Sequence, residues 1–269
     1  EIIGFGKLQI EPDYFSNFKV DNTGSRENIF VILYDKVYTS QDWWHVFRFH
    51  QLTLHSLSQK TYGILDACWN GFAATESFYG KYDPADVRRT QWLEGPQYDK
   101  EGQPLLLNDG SQLDYTPHIT SLFDSSNPAR ANEGVRSAKY EYADGLQGEC
   151  MNNDYVVYRY ADVLMMKGEA LVRQGHADLA VPLFNEVRKR TGLPDYEAAD
   201  LTLDEIYDER GREFAWEGLR RQDMIRFGKW CEPRDLKPAV SPEYTKLYPI
   251  PADIRKTNAN LKQNDGYPD

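Results

Sequence analysis

The stretch from Val156 to Gly192 restricts the fold more than any other part of the chain. "VVYRYADVLMMKGEALVRQG" is apolar almost all round, which predicts a helix from near Val156, buried on most sides and ended by Gly175. "ADLAVPLFNEVRKRTG" follows at once and predicts a second helix that stops at Gly192, ahead of Pro194. Pro182 fits if this helix begins near Asp178, because first-turn amides have no intrahelical acceptor. Helices joined by so short a turn lie antiparallel. The charges of the first helix, Arg159, Asp162, Glu169 and Arg173, project within an arc of roughly 80°. Arg159–Asp162 and Glu169–Arg173 have the spacing of helix-supporting pairs.

With Ala161, Ala170 and Ala180 turned inward, the pair has the form of one tetratricopeptide unit. A single unit cannot bury its own faces and needs stacked neighbours, which this chain does not visibly supply. A third helix is announced by "TLDE", where Thr202 and Glu205 form a capping box, and runs through "IYDERGREFAWEGLRRQDMIRFG" to Gly228. Gly211 and Gly218 share a face of it, which predicts close approach of a neighbouring helix. The closing "LYPIPADIRKTNANLKQNDGYPD" reads as an ordered wrap over the surface.

Upstream the texture is different. After a short helix end at Glu1–Ile3, "NIFVILYD", Asn28 to Asp35, is rich in β-branched and aromatic residues and reads as one strand, apolar on both faces. From Thr39 to about Asn153 no long periodic segment occurs. Turn formers recur instead, at Asp83-Pro84, Gly95-Pro96, Asp109-Gly110 and Asn127-Pro128. Ordered loops of such extent usually carry function.

Several functions are disfavoured. A net charge of −11 argues against nucleic acid, whose binders present basic surfaces. No apolar run reaches the 18 or so residues that cross a bilayer. The chain starts at Glu1 without a methionine, so an upstream segment is expected to have been removed or omitted. Cys68, Cys150 and Cys231 lie too far apart for a metal knuckle or a disulfide framework and read as partly buried thiols. His45, His50 and His55 recur every five residues, a step that gathers imidazoles on neither a helix nor a strand, so no metal is expected. Glu213 and Glu217 could pass for a glycosidase acid–base pair. However, Arg210, Arg220 and Arg221 share their face and would depress both carboxylates, which favours an ion-paired structural network. Nucleophile, phosphate-loop and dinucleotide motifs are missing, and no cofactor is implied.

What remains is aromatic: 18 Tyr, 12 Phe and 6 Trp, many in loop-like sequence. Asn70-Gly71 is a turn signal, which sets Trp69 at a bend. Trp43 and Trp44 precede it, and Phe72, Phe78, Tyr79, Tyr82 and Trp92 follow, interleaved with Asp83, Asp86, Arg88 and Arg89. Flat rings beside amide, carboxylate and guanidinium groups suit carbohydrate, since ring faces stack on pyranose C–H faces while polar groups take the hydroxyls. The same rings could equally form a satellite core under the loops. Both readings stand on these residues alone.

Four motifs in order, "YRYADVLMMKGEAL", "FNEVRKRTGL", "DERGREFAWEGLRRQDMIRFGKW" and "YPIPADI…NANLKQNDGY", resemble the C-terminal half of the SusD/RagB family of Bacteroidetes surface glycan-binding lipoproteins. The early "EPDYFSNFKVDNTGSRENIFVILYD" and "WNGFAAT…YDPADVRR" also resemble it, so the likeness covers essentially the whole chain. It implies a mainly α fold with one tetratricopeptide-type helix pair, a further long helix, and a loop-rich region containing short strands. Residues 1–153 would be the loop-rich, ligand-facing part, 154–232 the helical part and 233–269 the wrap, with the N-terminal half and its lipid anchor absent. It further implies a non-enzymatic protein of the outer-membrane surface that binds polysaccharide or oligosaccharide and hands it to a TonB-dependent transporter. The ligand residues expected from it are Trp69 as stacking platform, Asn70 as hydroxyl partner, and Trp43, Trp44, Tyr79 and Trp92 as walls. Two other functions are weighed against it: a peptide-binding or transporter-lid module, and a glycoside hydrolase using Asp83 and Asp86.

Overall fold

The computed structural model describes residues 2–35, 37–39, 46–121, 130–147, 150–258 and 260–268. A 3₁₀ turn at Ile3–Phe5 and another at Tyr14–Phe18 precede strand β1, Asn28–Ile32. The loop-rich part holds three short helices, α1 (Phe49–Thr53), α2 (Gln59–Tyr62) and α3 (Glu76–Tyr79). It also holds four two-residue strands, β2 (Trp92–Leu93), β3 (Gly95–Pro96), β4 (Asp114–Tyr115) and β5 (Arg136–Ser137). Strand β6 (Tyr155–Arg159) leads directly into α4 (Tyr160–Arg173), followed by α5 (Ala177–Arg188), α6 (Leu203–Glu213), α7 (Arg220–Arg226) and α8 (Ala252–Thr257). The described strands form three antiparallel pairs, β1 with β6, β2 with β5 and β3 with β4. The mainly helical architecture with short strands matches the sequence expectation.

Two boundaries differ from it, and so do the faces of the small residues. "YVVYR" at 155–159 is β-branched and aromatic, and it pairs as a strand with β1, Asn28 opposite Arg159 and Ile32 opposite Tyr155. The helix therefore starts at Tyr160, and Arg159 is not the helical partner of Asp162. The third helix stops at Glu213, because Trp216 (φ 63°) and Gly218 (φ 78°) take left-handed conformations, and the chain re-enters a helix only at Arg220. Gly211 and Gly218 thus share no helix face. A Cβ on Gly211 would lie 2.8 Å from an Arg220 side-chain nitrogen, so the close neighbour there is a side chain. On α4 the inward small residues are Ala161 and Gly168, while Ala170 is exposed; a Cβ on Gly168 would lie 2.4 Å from the Phe184 ring.

The α4–α5 pair packs Leu164, Met165 and Ala161 against Ala180, Phe184 and Val187, joined by Ile206 and Phe214. Thr202 caps α6 as expected, its Oγ1 accepting from Glu205 N at 3.1 Å. The charged arc of α4 is a packing face: Asp162 pairs with Arg210 of α6 at 2.9 Å, and Glu169 with Arg226 of α7 at 2.7 Å. The expected Glu169–Arg173 pair also forms, at 2.8 Å. A second core lies under the loops, with Tyr14, Phe18, Phe47, Tyr140, Cys150 and Val156 buried together. The C-terminal segment is ordered by its own bonds, among them Tyr267 Oη to Leu247 O at 2.8 Å and Asn264 Nδ2 to Tyr248 O at 2.7 Å.

Between the two cores lies a sealed ionic cluster. Arg88, Lys139, Arg159, Arg190 and Arg212 are buried with Glu27, Asp86, Glu209, Glu213 and Glu217, five charges of each sign. Arg88 bonds Asp86, Glu209 and Glu213. Arg159 bonds Glu27, Glu213 and Glu217, and Arg190 bonds Glu27 and Glu213. Lys139 reaches Glu217, and Arg212 reaches Glu209. Glu213 and Glu217 are therefore neutralised, as expected, but by residues from distant segments. Arg210 pairs instead with Asp162 and Asp223, while Arg220 and Arg221 donate to backbone carbonyls. Despite burial, the surrounding guanidinium groups hold the Glu213 carboxyl well below the usual carboxylate range.

Candidate functional site

The turn carrying Trp69 is built on the end of α1. The last carbonyls of a helix lack intrahelical donors, and here the loop supplies them. Trp69 N donates to Gln51 O at 2.8 Å, Asn70 N to Leu54 O at 2.9 Å, and Gly71 N and Phe72 N to Leu52 O at 3.0 and 2.8 Å. Thr53 Oγ1 closes the arrangement by donating to Phe72 O at 3.0 Å. Asn70 sits at φ 54°, in the left-handed region that asparagine tolerates better than most residues. A Cβ on Gly71 would lie 3.0 Å from Leu52 O, so this position needs the smallest residue for close approach.

On this pinned backbone the Trp69 ring is 45% exposed, and Phe72 beside it is 56% exposed. The Arg48 guanidinium lies 5.7 Å from the Trp69 ring centroid, within cation–π range. The Asn70 amide is largely committed inside the protein. Its Oδ1 accepts from Arg136 Nε at 3.0 Å and Nη2 at 2.8 Å, and its Nδ2 donates to Ala131 O at 3.2 Å, which among the described residues uses one of its two N–H groups.

The other expected site residues go elsewhere. Trp43 and Trp44 lie outside the described residues. Tyr79 is buried; its hydroxyl donates to Glu94 at 2.5 Å and accepts from Arg89 Nε at 2.8 Å, so it presents no free wall. Burial is the principal cause that pushes its phenol pKa up. Trp92 is buried with Tyr79, Tyr82, Ala74, Val135 and Ala215 in a satellite core. The two readings of the aromatic stretch are thus divided by position: Tyr79, Tyr82 and Trp92 are core, whereas Trp69 and Phe72 face outward.

Beside the turn opens a cleft of about 670 Å³ lined by Phe49, Phe72, Phe78, Trp92, Phe214 and Trp216. Trp216 is held edge-on to Phe49 at 4.9 Å between ring centroids, which compensates its left-handed backbone with packing. Polar groups at the cleft are spent locally. Arg210 pairs with Asp162 and Asp223, and Arg220 donates to Tyr207 O at 2.7 Å while stacking 3.6 Å over the Tyr207 ring. Such a surface suits apolar side chains more than sugar hydroxyls.

Neither carboxylate pair fits an acid and a base. Asp86 is buried against Arg88 at 2.8 Å, and Asp83 accepts from Ala85 N at 2.7 Å as a turn cap. His50 is buried, its pKa lowered to about 4 by desolvation and then by Arg48, while His55 Nδ1 accepts from Leu57 N. All three thiols are buried and free, and burial pushes Cys68 up to about 12, away from reactive thiolate. Arg136 and Arg48 escaped the sequence reading. Arg136 lies 66 positions from the asparagine it grips, and no local pattern marks it.

A family model described as SusD family matches residues 4–240. The starch-binding protein SusD of Bacteroides thetaiotaomicron is 34% identical over 125 residues, 43% of this chain and 22% of that protein. SusD-like protein P2 of Formosa agariphila is 26% identical over 281 residues, 97% of this chain and 52% of that protein. Among solved structures, surface glycan-binding protein A of Bacteroides thetaiotaomicron superposes with a TM-score of 0.73 at 25% identity, over 98% of this chain and 57% of its own. The same protein in complex with laminarihexaose gives 0.71 at 24%, with the same coverage. The chain therefore spans about half the length of the longer relatives it matches.

Proposed function

The chain belongs to the SusD family, and from that membership we propose that it binds polysaccharide or oligosaccharide at the bacterial cell surface without altering it chemically. The observation that carries this reading is the Trp69 ring, half open to solvent on a backbone whose four successive amides are tied to α1. A ring fixed in advance has little conformational entropy to lose when a pyranose face stacks on it. The Arg48 guanidinium over the ring and the Asn70 amide beside it add polar character to the platform. Two relatives bear names in keeping with this, a starch-binding protein and a surface glycan-binding protein.

Delivery to a TonB-dependent outer-membrane transporter, and attachment through a lipid anchor outside this sequence, belong to the same proposal. So does the domain reading: residues 1–153 as the ligand-facing part, 154–232 as the helical part and 233–269 as the wrap. Tetratricopeptide-type units of the kind that half of the relatives' length would supply are the partners we assign to the aromatic cleft, whose lining favours apolar side chains.

The deciding experiment is native affinity electrophoresis of the full chain in gels containing amylopectin or laminarin. Wild type is expected to be retarded by at least one, and Trp69→Ala to run as in a blank gel with unchanged thermal unfolding. Equal retardation of Trp69→Ala would refute the assignment. New reducing ends on incubation with either polysaccharide would favour the hydrolase reading instead.

A further inference from the structure

Arg136, on β5, is 2% exposed, yet among the described residues it pairs with no carboxylate. All five bonds of its fork go to neutral oxygens. Nε and Nη2 donate to Asn70 Oδ1, at 3.0 and 2.8 Å. Nη1 donates to Glu133 O at 2.7 Å and to Gly134 O, and Nη2 also reaches Ala131 O at 3.4 Å. The guanidinium lies 4.8 Å from the Tyr115 ring centroid. A buried cation without a counter-charge is costly, and an apolar side chain of similar volume would fill this space at lower cost. What a hydrocarbon cannot supply is a planar set of five donors in fixed directions.

The surrounding backbone is shaped to present those acceptors. Gly134 has φ 80°, and a Cβ there would stand 2.5 Å from the Ala73 Cβ, so 133–136 lies hard against the chain that leaves the Trp69 turn. Ala74 N donates to Val135 O at 3.0 Å across the same contact. The turn is therefore fixed from two sides, by α1 through its backbone and by Arg136 through the Asn70 side chain.

The geometry points to Arg136 as the positioning residue of the ligand platform: by gripping Asn70 Oδ1 it locks the left-handed turn that points the Trp69 ring outward. The inference rests on Trp69 being the glycan platform. Arg136 touches no ligand in this scheme; it acts through Asn70. Two predictions separate this role from simple core packing. Asn70→Gly keeps access to the left-handed backbone but deletes the gripped amide, and it leaves Arg136 in place. Asn70→Asp keeps two acceptor oxygens for the fork and adds the missing counter-charge.

The experiment is hydrogen exchange of the full chain, with peptides covering 69–72 and α4, paired with affinity electrophoresis in amylopectin and laminarin gels. Losing charge-assisted bonds of this kind speeds exchange roughly ten- to a hundredfold. That change is expected at 69–72 in Arg136→Lys and Asn70→Gly, with α4 unchanged and glycan retardation reduced about tenfold or more. Asn70→Asp should keep exchange within about threefold of wild type. Unchanged exchange at 69–72 in both Arg136→Lys and Asn70→Gly overturns the proposal, as does faster exchange with undiminished retardation. If Arg136→Lys does not fold, Asn70→Gly alone decides. Wild type retarded by neither glycan defeats the glycan reading by itself, and the exchange arm still tells whether Arg136 fixes the turn.

Discussion

Replacing Glu213 with glutamine removes a negative charge from the middle of the buried ionic cluster while keeping side-chain volume. In the wild type, Oε1 accepts from Arg159 Nη1 at 2.5 Å and Arg190 Nη2 at 2.6 Å, and Oε2 accepts from Arg88 Nη1 at 2.9 Å. Glutamine keeps one acceptor oxygen and turns an N–H₂ group toward a guanidinium. The three arginines retain other carboxylates, Asp86 and Glu209 for Arg88 and Glu27 for Arg159 and Arg190. The balance of five against five becomes five against four in a region sealed from water. Breaking a buried pair in this way costs about 3–5 kcal/mol. For a chain of this size each kcal/mol lowers the melting temperature by about 2–4 °C, so a drop of roughly 6–20 °C is expected. Differential scanning calorimetry at pH 7 measures it, with Glu186→Gln as the control. Glu186 pairs with Lys189 at the surface, where both side chains are about half or more exposed, and its loss should shift melting by less than about 2 °C. A Glu213→Gln protein melting within about 2 °C of wild type would show that the cluster does not hold the two cores together. The same carboxyl sets an acid limit. Its pKa is lowered in the folded state, so its contribution is complete above the unfolded value near 4.5 and is lost as pH falls below that. Glu209, lowered to about 2, behaves alike.

Other expectations follow from single groups. His50 is buried with its pKa lowered from 6.5 to about 4, so the unfolded chain binds a proton that the folded chain refuses between those values. Stability should therefore fall by about 2 kcal/mol between pH 7 and pH 5; His50→Gln should flatten that slope in urea titrations, and an unaltered slope would remove His50 as its source. Gly134→Ala sets a Cβ against Ala73 at a φ of 80°, and should cost roughly 2 kcal/mol or more and speed exchange at 69–72. Wild-type stability in Gly134→Ala, measured by thermal unfolding, would contradict the close contact.

The helix pair was legible because apolar periodicity and glycine stops act within a few residues, and 160–188 folds on those terms. The third helix is shorter than its composition suggests, since Phe214 to Leu219 keeps a helical composition and the left-handed turn at Trp216 and Gly218 breaks it. That turn depends on Phe49 and on partners for Glu217 as remote as Lys139. The bend at Trp69 was legible from the Asn70-Gly71 dipeptide, a local signal, and Asn70 does take the left-handed conformation. Burial of Tyr79 and Trp92 was one of two readings the sequence left open, and it is decided by Val135 and Ala215, which pack with them from distant parts of the chain. The same limit applies to Glu213 and Glu217: their neutralisation was foreseen from nearby arginines, whereas the actual partners are Arg88, Lys139, Arg159 and Arg190.

The ionic cluster collects its members from residue 27 to residue 217. A chain that emerges N-terminus first, from a ribosome or through a translocation channel, exposes Glu27, Arg88, Lys139, Arg159 and Arg190 long before Glu213 and Glu217 follow. Until then Arg88 has only Asp86, and Arg159 and Arg190 share the single carboxylate of Glu27. One short segment, Glu209 to Glu217, thus completes the pairing of Arg88, Lys139, Arg159 and Arg190, which come from four distant parts of the chain.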